Sequence, residues 1–184
     1  INVYEMLRVK DIKAMEILDS RGNPTVEVTV FAGNVTGTAS VPSGASTGDN
    51  EAYELRDGGK RYLGLGVQKA IKNIHTKILP LLKGFDCFRQ RELDALMIKL
   101  DHSKTKSNLG ANAMLAVSLA CARAGAIARR QELFRYLSTL GKFDKLKLPK
   151  LYCNVMNGGK HADNKLSFQE FMIVPRFSSY HKNL

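Results

Sequence analysis

The chain has 184 residues, a length that suits one domain and part of a second, and its 44% hydrophobic content is typical of a globular core. No run of apolar residues approaches the ~20 needed to span a bilayer, and residues 1–13 contain no apolar signal-peptide core. The net charge of +11 admits an anionic partner, but the lysines are scattered and there is no RNP-like motif, zinc finger or long arginine tract, so nucleic-acid binding is not favoured as the main function.

The cysteines give an indication of the compartment. Cys87, Cys121 and Cys153 lie far apart in the chain and form no CxxC pair. An odd, sparse set argues against a disulfide scaffold and favours a reducing compartment. Cys121 lies in an apolar run and is most simply a small core residue. We therefore expect a cytoplasmic protein.

The first predicted elements are strands. Residues 12–18 form a mixed apolar run, and residues 21–24 (RGNP) have the composition of a turn. In residues 26–30, valines alternate with Glu27 and Thr29, which is typical of a strand with one buried face. A second turn follows, and residues 35–41 can return as a third strand. The sequence predicts an antiparallel three-stranded meander.

A segment of small residues follows the meander at residues 42–48 (PSGASTG). Because it has no large side chain to hold it, we expect a mobile loop. The hydroxyls of Ser43, Ser46 and Thr47 suit a phosphate or a hard metal ion. The segment lacks the GK[ST] ending of a P-loop, so composition alone favours an ordinary surface loop.

Four helices are predicted next, at residues 67–82, 89–100, 111–128 and 132–140. Pro80 should kink or close the first of them. The third is apolar on nearly all sides and should be buried. The lysine-rich segment 141–149 ends in proline and is interpreted as a linker. We therefore predict two domains, 1–149 and 150–184.

The second predicted domain begins with two strand-like runs, 150–155 and 170–174, and His161 lies in the glycine-containing loop between them. A lone histidine is more often structural than catalytic. Here Gln169 and Glu170 start the next strand, and an imidazole, an amide and a carboxylate around one loop could bind and polarise an anionic substrate. Glu170 could equally be a solvated strand end. Two strands cannot make an independent core, so we expect this domain to be incomplete.

Several long motifs together extend over residues 12–175. They are residues 19–28 (DSRGNPTVEV), 42–48 (PSGASTG), 54–58 (ELRDG), 109–113 (LGANA), 157–162 (NGGKHA) and 169–173 (QEFMI). These motifs, found in the same order, are similar to those of enolases. After Pro175 the sequence departs from the usual continuation of the family. We therefore expect a fragment.

The resemblance implies an α+β fold: an enolase-like amino-terminal domain, with a three-stranded antiparallel meander plus helices, followed by the first antiparallel strands of a truncated β/α barrel. A complete barrel needs roughly 250 residues, so most of it would be missing. The resemblance also implies a homodimer when the chain is complete, because Arg21 and Glu27 resemble positions near the dimer interface of the family.

The family reaction is the reversible Mg²⁺-dependent dehydration of 2-phosphoglycerate to phosphoenolpyruvate in glycolysis, in which Mg²⁺ stabilises an enediolate and a lysine takes the proton. The resemblance implies that Ser46 is a metal ligand. It implies that Ala45, His161, Gln169 and Glu170 bind substrate, with His161 and Glu170 in catalytic roles. The remaining metal carboxylates and the base lysine of the family have no counterpart here, so the 184-residue chain alone is predicted to be inactive.

Two other functions remain as alternatives. The chain could be a non-catalytic, truncated enolase-like protein that uses its amino-terminal domain for binding or interaction, in which case faces normally covered by a barrel would be apolar and exposed. It could also bind polyanions through its lysines, which predicts retention on heparin that falls steeply with salt.

Overall fold

The structure, a computed structural model, describes residues 6–44, 48–143 and 145–184. These residues divide into two compact units. The first unit contains residues 6–43 and 49–143, and the second contains Gly44, Gly48 and residues 145–184. The first unit therefore ends at Phe143, inside the lysine-rich segment. The domain boundary at residue 149 stays a prediction.

The first unit begins with an antiparallel sheet of three strands in sequential order, β1 (Val9–Leu18), β2 (Pro24–Ala32) and β3 (Val35–Ser40). The alternating valines of β2 are completely buried. Their burial places the intervening positions of β2 on the opposite face, as the two-residue period requires. The predicted meander is confirmed, and β1 begins three residues earlier than residue 12, where the apolar run starts.

The helices of the first unit follow the sheet. They are α1 (Gln68–Asn73), α2 (Leu79–Leu82), α3 (Gln90–Asp101), α4 (Ala111–Ala128) and α5 (Leu133–Gly141). The continuous helix expected over residues 67–82 is interrupted, because a π-helical turn, Ile74–Ile78, separates α1 from α2. Ile78 and Leu79 keep helical backbone angles, so Pro80 lies within a continuous helical segment and its missing N–H removes a backbone hydrogen bond there. The π-helical turn directly precedes the proline, and the segment closes two residues after it, at Leu82.

Helix α4 packs against β2 and β3 at the centre of the first unit. It approaches the sheet closely at Gly37, where a Cβ atom would overlap the carbonyl oxygen of Ala120 and the backbone nitrogen of Ala124. By length and composition alone, helix α4 is also long and apolar enough to cross a membrane. The same composition is explained by burial, because 61% of this helix is buried inside the protein.

The second unit contains a two-stranded antiparallel sheet, β4 (Cys153–Asn157) and β5 (Glu170–Ile173), joined through a 3₁₀ turn at Gly159–His161. A single helical turn, α6 (Tyr180–Asn183), lies in the tail, where the sequence shows no periodicity. Every residue of β4 is exposed. The α+β fold class is thus confirmed, as a meander with helices followed by a short antiparallel sheet.

Candidate functional site

The connection between β4 and β5 places His161 beside the start of β5. The backbone N–H of Gly158 donates to the carbonyl oxygen of Gln169 at 3.0 Å, and that of Gly159 donates to Leu166 at 2.9 Å. A Cβ atom on Gly158 would lie only 2.5 Å from the Cβ atom of Leu166, and Gly159 has a φ of +53°. Glycine at both positions therefore lets the connection fold back closely enough to bring His161 to Gln169.

The imidazole of His161 contacts both polar residues at the start of β5. Its Nδ1 atom lies 3.1 Å from Oε1 of Glu170. Its Nε2 atom accepts a hydrogen bond from Nε2 of Gln169 at 3.1 Å. An amide nitrogen can only donate, so the neutral imidazole carries its proton on Nδ1 and donates it to Glu170.

The side chains of His161 and Glu170 remain partly accessible, with 25% and 33% of their surface exposed. A ligand can therefore reach the pair. The structure brings together the three residues that the sequence singled out in this loop, and they supply a carboxylate, an imidazole and an amide for binding and proton transfer. Their individual roles in substrate binding and catalysis stay predictions.

The other two expected site residues, Ala45 and Ser46, lie outside the described residues. Ser43, two residues before Ala45, is held firmly in the first unit. Its hydroxyl donates to Oε2 of Glu54 at 3.1 Å and accepts from Nη2 of Arg56 at 3.0 Å. These contacts fix the point at which the small-residue segment leaves the domain.

Arg56 is a residue whose importance the sequence did not reveal. Its Nη1 atom donates to the carbonyl oxygens of Pro24 and Leu65, at 2.5 and 2.6 Å, while Nη2 pairs with Glu54 at 2.6 Å. Arg56 lies among the charged residues Glu51, Glu54 and Asp57, and such a stretch is ordinarily solvated or paired. The ion pair follows from that expectation, whereas the contacts with Pro24 and Ser43 depend on the packing of distant segments.

Arg21 and Glu27, the two residues expected near a dimer interface, both make contacts within the first unit. Arg21 donates through Nη2 to the carbonyl oxygen of Ser43 at 2.7 Å and lies 3.7 Å from Asp19. Hydrogen bonds from the backbone N–H groups of Asn23 and then Arg21 hold the pKa of Asp19 below its ordinary value. Asp19 and Arg21 therefore form a capped turn with an internal ion pair.

Glu27 accepts a hydrogen bond from the hydroxyl of Ser40 on the neighbouring strand at 2.6 Å. The carboxylate therefore has a partner within the sheet. The place of Glu27 and Arg21 in a dimer stays a prediction.

The described residues do not form a metal centre by themselves. Within residues 6–44, 48–143 and 145–184, no group of three or more histidine, cysteine, aspartate or glutamate side chains is placed to hold a metal ion. His161 and Glu170 form only a pair, and Mg²⁺ requires about six oxygen ligands in an octahedral arrangement. The expected metal ligand Ser46 would have to be joined by oxygen atoms from elsewhere.

Comparison with known proteins identifies two family models. The model described as "Enolase, N-terminal domain" matches residues 9–137, and the model described as "Enolase, C-terminal TIM barrel domain" matches residues 145–183. These two matches extend over most of the chain; the first ends before the lysine-rich segment 141–149, and the second begins within it.

Individual relatives give the same result. The chain is 56% identical over 168 residues to "Enolase" of Lactobacillus acidophilus, covering 91% of this chain and 38% of that protein. It is 55% identical to "Enolase" of Pyrococcus furiosus, with 95% and 39% covered, and 53% identical to "Enolase B" of Dictyostelium discoideum, with 92% and 38% covered. The chain spans about two fifths of the length of the curated relatives it matches.

Proposed function

The chain belongs to the enolase family, and from that premise we propose that it is the amino-terminal part of a glycolytic enolase that converts 2-phosphoglycerate to phosphoenolpyruvate. The observation that carries this proposal is identity above 50% over more than nine tenths of the chain to proteins named enolase in a bacterium, an archaeon and an amoeba. The complete protein would act in the cytoplasm as a homodimer, with Arg21 and Glu27 near the interface.

The proposed roles at the hairpin follow from the chemistry of its side chains. His161 and Glu170 would serve as catalytic groups next to the bound substrate, because an imidazole and a carboxylate 3.1 Å apart can share and transfer a proton. Gln169 would orient the substrate. In the structure its amide nitrogen donates a hydrogen bond to the Nε2 atom of His161. Ala45 and Ser46 would reach the substrate and the metal from the small-residue segment.

The proposed cofactor of the complete protein is Mg²⁺, with the hydroxyl of Ser46 as one oxygen ligand. When bound, the ion would supply positive charge against an anionic substrate. The described residues contain no metal centre. The residues of this chain are therefore given no reaction step that depends on the ion. The contribution that can be tested on this chain is that of the hairpin.

The test joins this chain to the remaining carboxyl-terminal part of the Lactobacillus acidophilus enolase, which is 56% identical to it over the shared region. Formation of phosphoenolpyruvate from 2-phosphoglycerate is then measured. We expect the chimaera to be active, and we expect Glu170→Gln to lower its kcat by roughly 10²-fold or more, because the amide cannot take part in proton transfer.

The matched control is Glu132→Gln, which removes the same charge from an exposed position at the start of α5. This variant should leave kcat unchanged. A folded chimaera that forms no phosphoenolpyruvate would contradict the proposed function. Full activity of Glu170→Gln would leave the function standing and remove Glu170 from its proposed role.

We further propose that the 184-residue chain alone does not turn over 2-phosphoglycerate. The physical reason is that its described residues offer a histidine–glutamate pair but no group of side chains that can hold a metal ion. The purified chain should therefore show no phosphoenolpyruvate formation at saturating Mg²⁺. Turnover at the rate of the chimaera would disprove this prediction.

A second candidate function, a non-catalytic interaction protein, is favoured by one observation. Large apolar side chains of the second unit are exposed, among them Phe168 at 73%, Val155 at 59% and Ile173 at 57%. Clustered exposed apolar surface often marks a protein-binding site. Sedimentation of the chain should then show concentration-dependent association, and a monomer at high concentration would count against this candidate.

A further inference from the structure

The lysine-rich region after α5 contains none of the residues proposed above for the enolase reaction. Its described part in the second unit, residues 145–152 (KLKLPKLY), begins with lysine and leucine in alternation and forms neither helix nor strand. We call residues 145–152 the Lys–Leu segment. All of its residues are exposed except Leu151, which is half-buried. The segment therefore presents charged and apolar groups together to a partner.

The lysines of the Lys–Leu segment have no carboxylate partner. None of the ion pairs within the described part of the chain involves a lysine. The wider region, residues 145–184, carries six lysines and Arg176 against Asp163 and Glu170, which is a net charge of +5 with histidine neutral. Glu170 already faces His161. The second unit is therefore positively charged and attracts anionic groups.

Apolar surface is exposed beside these charges. More than half of the surface of Leu146, Leu148 and Tyr152 is accessible. Ile173, which is exposed to the same degree, pairs with Cys153 directly after Tyr152, so the exposed apolar surface continues from the segment into the hairpin. A single exposed leucine is ordinary, whereas apolar side chains alternating with unpaired cations form an amphipathic surface.

We propose that the Lys–Leu segment binds the surface of an anionic lipid bilayer. Anionic headgroups pair with its lysines, while Leu146 and Leu148 enter the boundary between headgroups and acyl chains. Lysine side chains are long enough to hold their ammonium groups at the headgroups while neighbouring leucines lie deeper. A segment of eight residues is too short to span a bilayer, for which about 20 are needed, so it lies at the surface. This binding needs no metal ion and does not rest on the proposed enolase function.

A nucleic acid is the other polyanion that lysines attract. Binding of single strands uses aromatic or guanidinium planes on which the bases stack. The residues between the three lysines are instead Leu146, Leu148 and Pro149, all of them aliphatic. Aliphatic side chains gain free energy by leaving water for a hydrocarbon environment. The composition of the segment therefore favours a lipid surface.

The test is co-sedimentation of the 184-residue chain with vesicles made of equal parts phosphatidylserine and phosphatidylcholine at neutral pH. Vesicles of phosphatidylcholine alone are the uncharged control. The affinity for the anionic vesicles should be at least about tenfold higher, because each lysine near an anionic surface adds to the attraction. Binding should weaken as the NaCl concentration rises, since salt screens the charges.

Two pairs of variants locate the contact. Lys147→Gln should weaken binding to the anionic vesicles by about fivefold, whereas Lys99→Gln removes the same charge from an exposed position of α3 and should have little effect. Leu148→Ala should also weaken binding by about fivefold or more, because less apolar surface enters the bilayer. Ile98→Ala, at another exposed position of α3, is its matched control.

The chimaera with the carboxyl-terminal part of the Lactobacillus acidophilus enolase should bind the same vesicles. Loss of binding in the folded chimaera would assign the exposed leucines to the missing barrel. Sedimentation of the chain without vesicles would assign them to a second copy. Displacement from the vesicles by a single-stranded oligonucleotide, with Leu148→Ala unchanged, would assign the lysines to a nucleic acid. Each of these results overturns the lipid contact, as does equal binding to both kinds of vesicle.

Discussion

Asp101, at the end of α3, is completely buried and holds the turn that leads to α4. Its carboxylate accepts hydrogen bonds from the hydroxyl and the backbone N–H of Ser103 and from the backbone N–H of Leu109, the last at 2.7 Å. Burial by itself raises the pKa of Asp101. The hydrogen bonds from Ser103 and Leu109 outweigh it and hold the pKa of Asp101 below its ordinary value.

This arrangement predicts how stability depends on pH. Because the pKa of Asp101 is lower in the folded state, its stabilising contribution is fully present above the unfolded value of about 3.9 and is lost as the pH falls through the folded value. Asp101→Asn should lower the free energy of unfolding at pH 7 by about 1–3 kcal/mol. Urea unfolding at pH 7 and at stepwise lower pH values should show a shallower acid dependence in the variant, and identical acid dependence would contradict the assignment.

At the scale of single residues, separation along the chain decides what the sequence can predict. His161, Gln169 and Glu170 lie within one hairpin, so pattern alone predicted that they meet. The amide of Gln90 instead contacts Ser118, 28 positions away, and Arg56 contacts Pro24, 32 positions away. Such contacts depend on how helices and strands pack, which residue type and local spacing do not specify.

The contact between β3 and α4 depends on the missing side chain of Gly37. A Cβ atom there would overlap backbone atoms of Ala120 and Ala124, which cannot move aside as a flexible side chain could. We therefore expect Gly37→Ala to lower the free energy of unfolding by about 1–3 kcal/mol through overpacking. Thr36→Ala, at an exposed neighbouring position of β3, should change it by no more than about 0.5 kcal/mol.

Urea unfolding of both variants measures this difference. The backbone conformation of Gly37 is not left-handed. Any loss of stability in Gly37→Ala would therefore come from the overlap of the added methyl group with α4, and not from backbone strain. Equal stability of Gly37→Ala and the unmodified chain would mean that α4 can shift away from the sheet without loss.

At the scale of elements, the sequence predicted the kinds of element and their order better than the interruptions within them. Helix α4 has the bounds that its apolar residues predicted, because a strongly buried helix is apolar on most sides. The helix over residues 67–82 keeps its apolar spacing through the π-helical turn at Ile74–Ile78, and both ends of that turn are buried. An extra residue in one turn leaves the apolar pattern almost unchanged, so the π-helical turn could not be predicted from residue type and spacing.

The two units differ sharply in burial. The first unit has a continuous apolar core that includes the valines of β2 and the apolar face of α4. The second unit has a two-stranded sheet in which residues such as Val155 and Ile173 are exposed. An isolated two-stranded hairpin is marginally stable in water. The proposed catalytic pair of His161 and Glu170 is thus held by the less stabilised of the two units.

This difference predicts unequal hydrogen exchange within the chain. The amide of Val28 lies in the central strand β2, between the partners Ala14 and Ala39, and should exchange only on global unfolding. Within the part of the chain that the structure describes, Met172 in β5 has a partner strand on one side only, at Asn154, and its amide should exchange faster through local opening. Exchange measured residue by residue on the 184-residue chain tests this. Equal protection of Met172 and Val28 would show that the hairpin opens only with the whole chain, and the geometry of His161 and Glu170 would then be as stable as the core itself.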